Sequence, residues 1–235
     1  MTFKWAGPIL LLAALVIGDQ IRLNRPGHKY RLSVSVETPD GLKSASGVFA
    51  VVPYRGYSVS GATRTRGDAL FVDLGHGKNL LALMMHDEKG AETDGMNYVA
   101  LRAYRAAGHN VSFGNLSRMT DSVPVTGELI PVLVTFGNLA DPQTARVVPP
   151  GDLAAVFGAG YRLGEVSAVI VKNGFWPLDF GGALGEPVTR GIEGKLPWWN
   201  RTSAPAAAAL RAAGLVPTAA EARTPFDAMA AFTRK

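Results

Sequence analysis

Between Lys29 and Glu37 the chain alternates strictly. Tyr30, Leu32, Val34 and Val36 fall on one side, and Lys29, Arg31, Ser33, Ser35 and Glu37 on the other. A period of two predicts a strand with one buried face. Thr38-Pro39-Asp40-Gly41 supplies a turn, because proline presets φ and glycine accepts a positive one. Gly47 to Val52 is the expected return strand, stopped at Pro53, and Tyr54 to Arg66 reads as a polar loop or ragged hairpin carrying Arg55, Arg64 and Arg66. A second hairpin is expected from Asp68–Leu74 and Leu80–His86, joined by Gly75-His76-Gly77-Lys78-Asn79. Leu80 to Met85 shows no alternation, which predicts cover on both faces. Thr93 or Asp94 then opens a helix with Met96, Val99, Ala103 and Ala106 on one stripe, ended by Gly108.

Beyond Val123 the apolar pieces are short: Val132–Phe136, Thr144–Val148 and Glu165–Val171, with a brief helix capped by Asp152 and running to Phe157. Asn173 to Trp199 is dense in glycine and proline yet holds Trp176, Phe180, Trp198 and Trp199. So many large rings predict an ordered, irregular wrap. Ser203 caps an alanine-rich helix that Gly214 ends. Thr218 with Glu221, and Thr224 with Asp227, mark further helix starts. The expected class is α+β: a mostly antiparallel β domain with one central amphipathic helix, an N-terminal hydrophobic helix and short C-terminal helices. The expected division is 1–20 as leader, 21–202 as strand-rich domain and 203–235 as helical appendage.

The leader carries the strongest expectation. Trp5 to Gly18 is apolar without a charge, led by Lys4 and closed by Asp19. Fourteen helical residues reach about 21 Å, short of the roughly 30 Å hydrocarbon core. The run therefore suits a signal peptide somewhat better than a free-standing transmembrane anchor, although no Ala-x-Ala is present and Val16-Ile17-Gly18 is the nearest cleavage site. On this reading residues 5–18 enter the membrane. The domain then faces the periplasm from the inner membrane, or is released there. Arg22, Arg25, Lys29 and Arg31 after the run favour the alternative, a tethered domain in the cytoplasm.

Composition narrows the chemistry. The 235 residues include no cysteine, which removes disulfides, thiolate metal sites and cysteine nucleophiles together. A net charge of +5 without a basic-aromatic tract argues against nucleic acid. No cofactor fingerprint is present. Val72 and Asn79 break the phosphate-loop pattern around Gly75–Lys78, and Gly158-Ala159-Gly160 lacks dinucleotide spacing. His76, His86, Asp73 and Asp87 are weak catalytic candidates, and with Glu88 they have the composition of a zinc site. Six strand residues between the two histidines, about 20 Å, argue against one ion taking both. Acid pairs drawn from Asp179, Glu186 and Glu193 beside Trp176 and Trp198 have the ingredients of a glycan cleft. The favoured contact site is Trp198 and Trp199 with Arg190 and Arg201, since tryptophan and arginine concentrate binding energy at protein contacts. The structural alternative is that both indoles plug the core.

Two stretches, Tyr30-Arg31-Leu32-Ser33-Val34-Ser35-Val36-Glu37-Thr38-Pro39-Asp40-Gly41 and Leu184 to Glu193 with the following Lys195-Leu196-Pro197-Trp198, resemble a family of short, uncharacterised, membrane-targeted proteobacterial proteins. The resemblance implies a bacterial source and no particular activity. The resulting expectation is a non-enzymatic envelope protein that binds a protein partner. The alternative is an envelope hydrolase assembling His, Asp and Glu residues from separate loops.

Overall fold

The computed structural model describes residues 6–53, 63–86, 94–174, 184–199, 203–215 and 227–235. Its class is α+β, built on two antiparallel sheets. The larger has the order β10-β3-β2-β1-β9-β6, formed by β1 (His28–Thr38), β2 (Gly41–Pro53), β3 (Thr63–Asp68), β6 (Ser122–Pro124), β9 (Arg162–Val171) and β10 (Thr233–Arg234). The smaller runs β4-β5-β7-β8, from β4 (Leu70–Gly75), β5 (Lys78–Ala82), β7 (Leu133–Phe136) and β8 (Ala145–Val147).

Alternation explains the layers. Tyr30, Leu32, Val34 and Val36 of β1 point inward and meet Leu70, Val72 and Leu74 of β4 in a first core, which α2 (Val99–Ala106) also closes. The run after Lys78 is buried on both faces. Leu80, Ala82 and Met84 join that first core, while Leu81, Leu83 and Met85 enter a second one. There they meet Phe136, Phe232 and α4 (Ser203–Ala212). Burial of a large apolar side chain contributes about 1.5–3 kcal/mol, so this doubly covered strand holds the layers together.

Local signals account for most ends. Asp152 accepts from Ala155 N–H at 3.3 Å and starts α3 (Leu153–Phe157), as its short polar side chain should. The second hairpin is tighter than the five-residue loop expected. Val72 faces Leu80 and Gly75 faces Lys78, leaving His76-Gly77 as the turn. Gly75, His76 and Gly77 all take positive φ, and a bulge near Asp73 adjusts the register.

The N-terminal helix α1 (Ala6–Asn24) corrects the expected membrane placement. No helix among the described residues is long and apolar enough to cross a membrane. The uncharged run ends at Gly18, and the polar Asp19 and Gln20 follow it directly within the same helix. Membrane attachment through residues 5–18 thus loses its support, Trp5 itself lying outside the described residues. With it go the inner-membrane placement facing the periplasm and the cytoplasmic tethered alternative. Ile9, Leu10, Leu11, Leu12, Leu15, Val16 and Ile17 of α1 are exposed on all sides of the helix.

Candidate functional site

The unusual local geometry lies where β3 gives way to β4. The two strands are nearly continuous, yet they belong to different sheets, with the change made at Asp68-Ala69. A strap, residues 184–196, fills the opening. Thr189 N–H donates to Val48 C=O at 2.9 Å, and Val48 N–H donates to Thr189 Oγ1 at 2.7 Å. The strap therefore takes a place beside β2 that a continued β3 would have occupied. Upstream, Lys29 Nζ donates to Glu186 C=O at 2.7 Å, and Arg31 pairs with the Glu186 carboxylate. Gly47 lets the chains approach closely at this crossing, since a Cβ there would press on Leu70 Cδ2 and force a shift.

Asp68 fastens the strap. Its carboxylate is buried and accepts from Gly191 N–H (2.7 Å), Ile192 N–H (3.2 Å), Thr233 Oγ1 (2.6 Å) and Arg190 Nη1 (3.2 Å). Arg190 Nη1 also donates to Arg234 C=O at 2.7 Å. Arg190 Nε and Nη2 take no partner among the described residues. Beside this knot is a cavity of about 160 Å³, open to solvent, whose lining includes Asp68 itself with Ser46, Thr189, Arg190 and Lys195, as well as Ala45, Leu70 and Phe71. Lys195 Nζ stands 5.9 Å from the Phe71 ring centroid, a cation over an aromatic face.

Burial first, and then the guanidinium groups of Arg64 and Arg190, lower the Arg66 pKa. Arginine stays charged regardless. Cations with unengaged N–H groups and two hydroxyls around one small space are the chemistry of anion recognition.

The expected site residues are placed differently. His76 Nε2 lies 3.0 Å from Asp40 Oδ2 at the far turns, on the surface. Asp73 Oδ1 accepts from Gly75 N–H and serves its own turn. His86 is buried, with Nε2 2.9 Å from Leu129 C=O. Asp87 and Arg201 lie outside the described residues, as do Glu88, Trp176, Asp179 and Phe180. No group of three or more His, Asp or Glu able to hold a metal occurs among the described residues, and the structure does not bring His76, His86 and Asp73 together. The hydrolase expectation is thereby overturned. Each of these groups has a structural partner instead.

Trp198 and Trp199 do not diverge as an extended chain would make them. Trp199 N–H donates to Leu196 C=O at 2.9 Å, which turns the backbone. Both indoles then meet Phe232, at 5.7 and 6.1 Å, as partly buried members of the second core. Arg190 was singled out as their neighbour, but its bonds go to Asp68 and the Arg234 carbonyl. Asp68, Thr189, Lys195, Ser46 and Thr233 escaped notice, because nothing in their local spacing shows that they meet.

No protein-family model matches the chain, no curated protein matches it, and no solved structure matches it. The resemblance of Tyr30–Gly41 and Leu184–Trp198 to short membrane-targeted proteobacterial proteins is corrected accordingly, since neither a matching family nor a spanning helix supports it. The envelope-docking function built on the leader falls for the same reason.

Proposed function

We propose that the protein is a recognition domain that holds a small anion in the cleft beneath the strap. The observation that carries this reading is Arg190. Asp68 and the Arg234 carbonyl fix Nη1, while Nε and Nη2 have no partner among the described residues and stand at the edge of a cavity shared with Lys195. A guanidinium already held in place loses little freedom when a ligand arrives, so more of the interaction becomes affinity. Ser46 and Thr189 hydroxyls add donors, although Thr189 Oγ1 already accepts from Val48.

The test is titration of the full chain with phosphate and acetate, followed by calorimetry and by amide NMR shifts. Saturable binding with shifts at Arg190, Gly191 and Lys195 is the expected result. Lys195→Gln, which leaves the Asp68 knot intact, should weaken it markedly while leaving circular dichroism unchanged. Absence of saturable binding by any anion, or binding indifferent to Lys195→Gln, overturns the reading.

A further inference from the structure

We infer that the ligand of the strap cleft is an organic acid with a short apolar body, in preference to an inorganic anion; this rests on the anion-site reading above. The lining is mixed. Arg190 and Lys195 supply positive charge, Asp68 is already engaged by its own four donors, and Ala45, Leu70, Phe71 and Ile192 supply apolar wall. An inorganic anion would satisfy the cations but would lose water against that wall without gaining a partner, a net cost for a polar group. A carboxylate carrying a hydrocarbon body uses both surfaces at once. Phe71 strengthens the case, because its ring is only partly buried and already has Lys195 Nζ 5.9 Å from its centroid. A ligand chain laid on that ring keeps its carboxylate within reach of the ammonium.

Size limits the body. The apolar lining of this solvent-open cavity of about 160 Å³ is confined to Ala45, Leu70, Phe71 and Ile192, so a short hydrocarbon chain covers it and further carbons stay in water. A long fatty acid would protrude from the cleft, and a sugar acid would set hydroxyls against apolar wall.

The experiment is a chain-length series on the full chain, using acetate, butyrate, hexanoate and decanoate, with phosphate and sulfate as comparators. Affinity should rise roughly fourfold per methylene, as burial of each CH₂ requires, then level off once the cavity is full. Phe71→Ala should flatten that slope, and Phe71→Leu should restore part of it. Because the wild-type series reads the slope directly, the inference can be tested even where Phe71→Ala does not fold. Phosphate and acetate binding as tightly as hexanoate would overturn the organic-acid assignment but leave the anion site standing. No binding by any member would overturn both. A slope that continues undiminished to decanoate would also overturn it, because the short apolar lining would not then be setting ligand length.

Discussion

Two regions of the molecule each have an aspartate that takes a basic partner distant in sequence, the strap end and the turn end, and they do so in opposite ways. At the strap end, Asp68 has a side chain only 4% exposed and accepts from four donors: Arg190, Gly191, Ile192 and Thr233. At the turn end, Asp40 is 52% exposed and meets a His76 side chain that is 74% exposed. A charge removed from water depends on every donor it has been given, whereas an exposed charge exchanges a lost partner for solvent. The same residue type is therefore a structural fastener in one place and a surface contact in the other.

Removing the Asp68 carboxylate should have the largest effect. Asp68→Ala strands Arg190 and two backbone N–H groups, and loss of one side of a buried charged network costs about 3–5 kcal/mol. Asp68→Asn keeps one acceptor and should cost less. Urea denaturation gives the difference directly. A loss below about 1 kcal/mol, the level of exposed pairs, would erase the contrast between the two ends. The strap should also come away from β2, which hydrogen exchange at Thr189, Gly191 and Ile192 would register.

His28 sharpens the comparison, being buried like Asp68 but lacking its partners. Its ring is 1% exposed between Tyr30 and Phe113, and neither ring nitrogen has a hydrogen bond. Burial lowers its pKa from 6.5 to about 4. Between those values the unfolded chain binds a proton that the folded chain refuses. Stability attributable to this group is thus intact above pH 6.5, falls as pH drops, and levels off below about pH 4. The full loss is about 3 kcal/mol, at 1.36 kcal/mol per pKa unit. Denaturation of wild type and His28→Phe at pH 7 and pH 4.5 isolates this from the carboxylates. The variant should lose markedly less stability in acid. Equal losses would mean the ring is not held neutral.

At the strap crossing the expected effect is smaller and steric. Gly47→Ala places a Cβ against Leu70 Cδ2, at a distance that requires the leucine or the strand to shift. Overpacking of this kind costs about 1–3 kcal/mol. Leu70→Ala in the same chain should restore part of the loss caused by Gly47→Ala, and a strictly additive double mutant would show that the two do not compete for space.

The contrast between the ends also explains what could be read beforehand. β1 was legible because Tyr30 to Val36 alternate, and the two-sided cover of Leu80–Met85 followed from the missing alternation. Asp152 announced its helix because a cap acts over three residues. The turn-end loops were visible through Gly75, Gly77, Pro39 and Gly41, although the length of the His76-Gly77 turn was not, since two glycines fit several loop types. The strap was another matter. Asp68 meets Arg190, Gly191, Ile192 and Thr233 across separations of 122 to 165 residues, and the strap has no period that would orient its side chains. The apolar stretch of α1 was equally plain as a pattern and led to a membrane placement its length does not support.

The smallest effect belongs to the turn end, and it is the one that decides whether exposure alone makes the difference. His76 and Asp40 join two hairpin turns, His76-Gly77 and Pro39-Asp40, so their contact has the topology of a clasp. Topology without burial should nevertheless contribute little, because both side chains are ordered only to form a bond that water can replace. His76→Ala and Asp40→Asn should each change stability by less than about 0.5 kcal/mol, and the double mutant should show no coupling beyond that. There is one competing term: His76 sits at φ +51°, so alanine faces the same backbone strain as histidine while glycine relieves it. His76→Gly should consequently be no less stable than His76→Ala. A double-mutant coupling above 1 kcal/mol would make the clasp a fastener like Asp68, and would shift the explanation for both ends from burial to the geometry of the loops they tie.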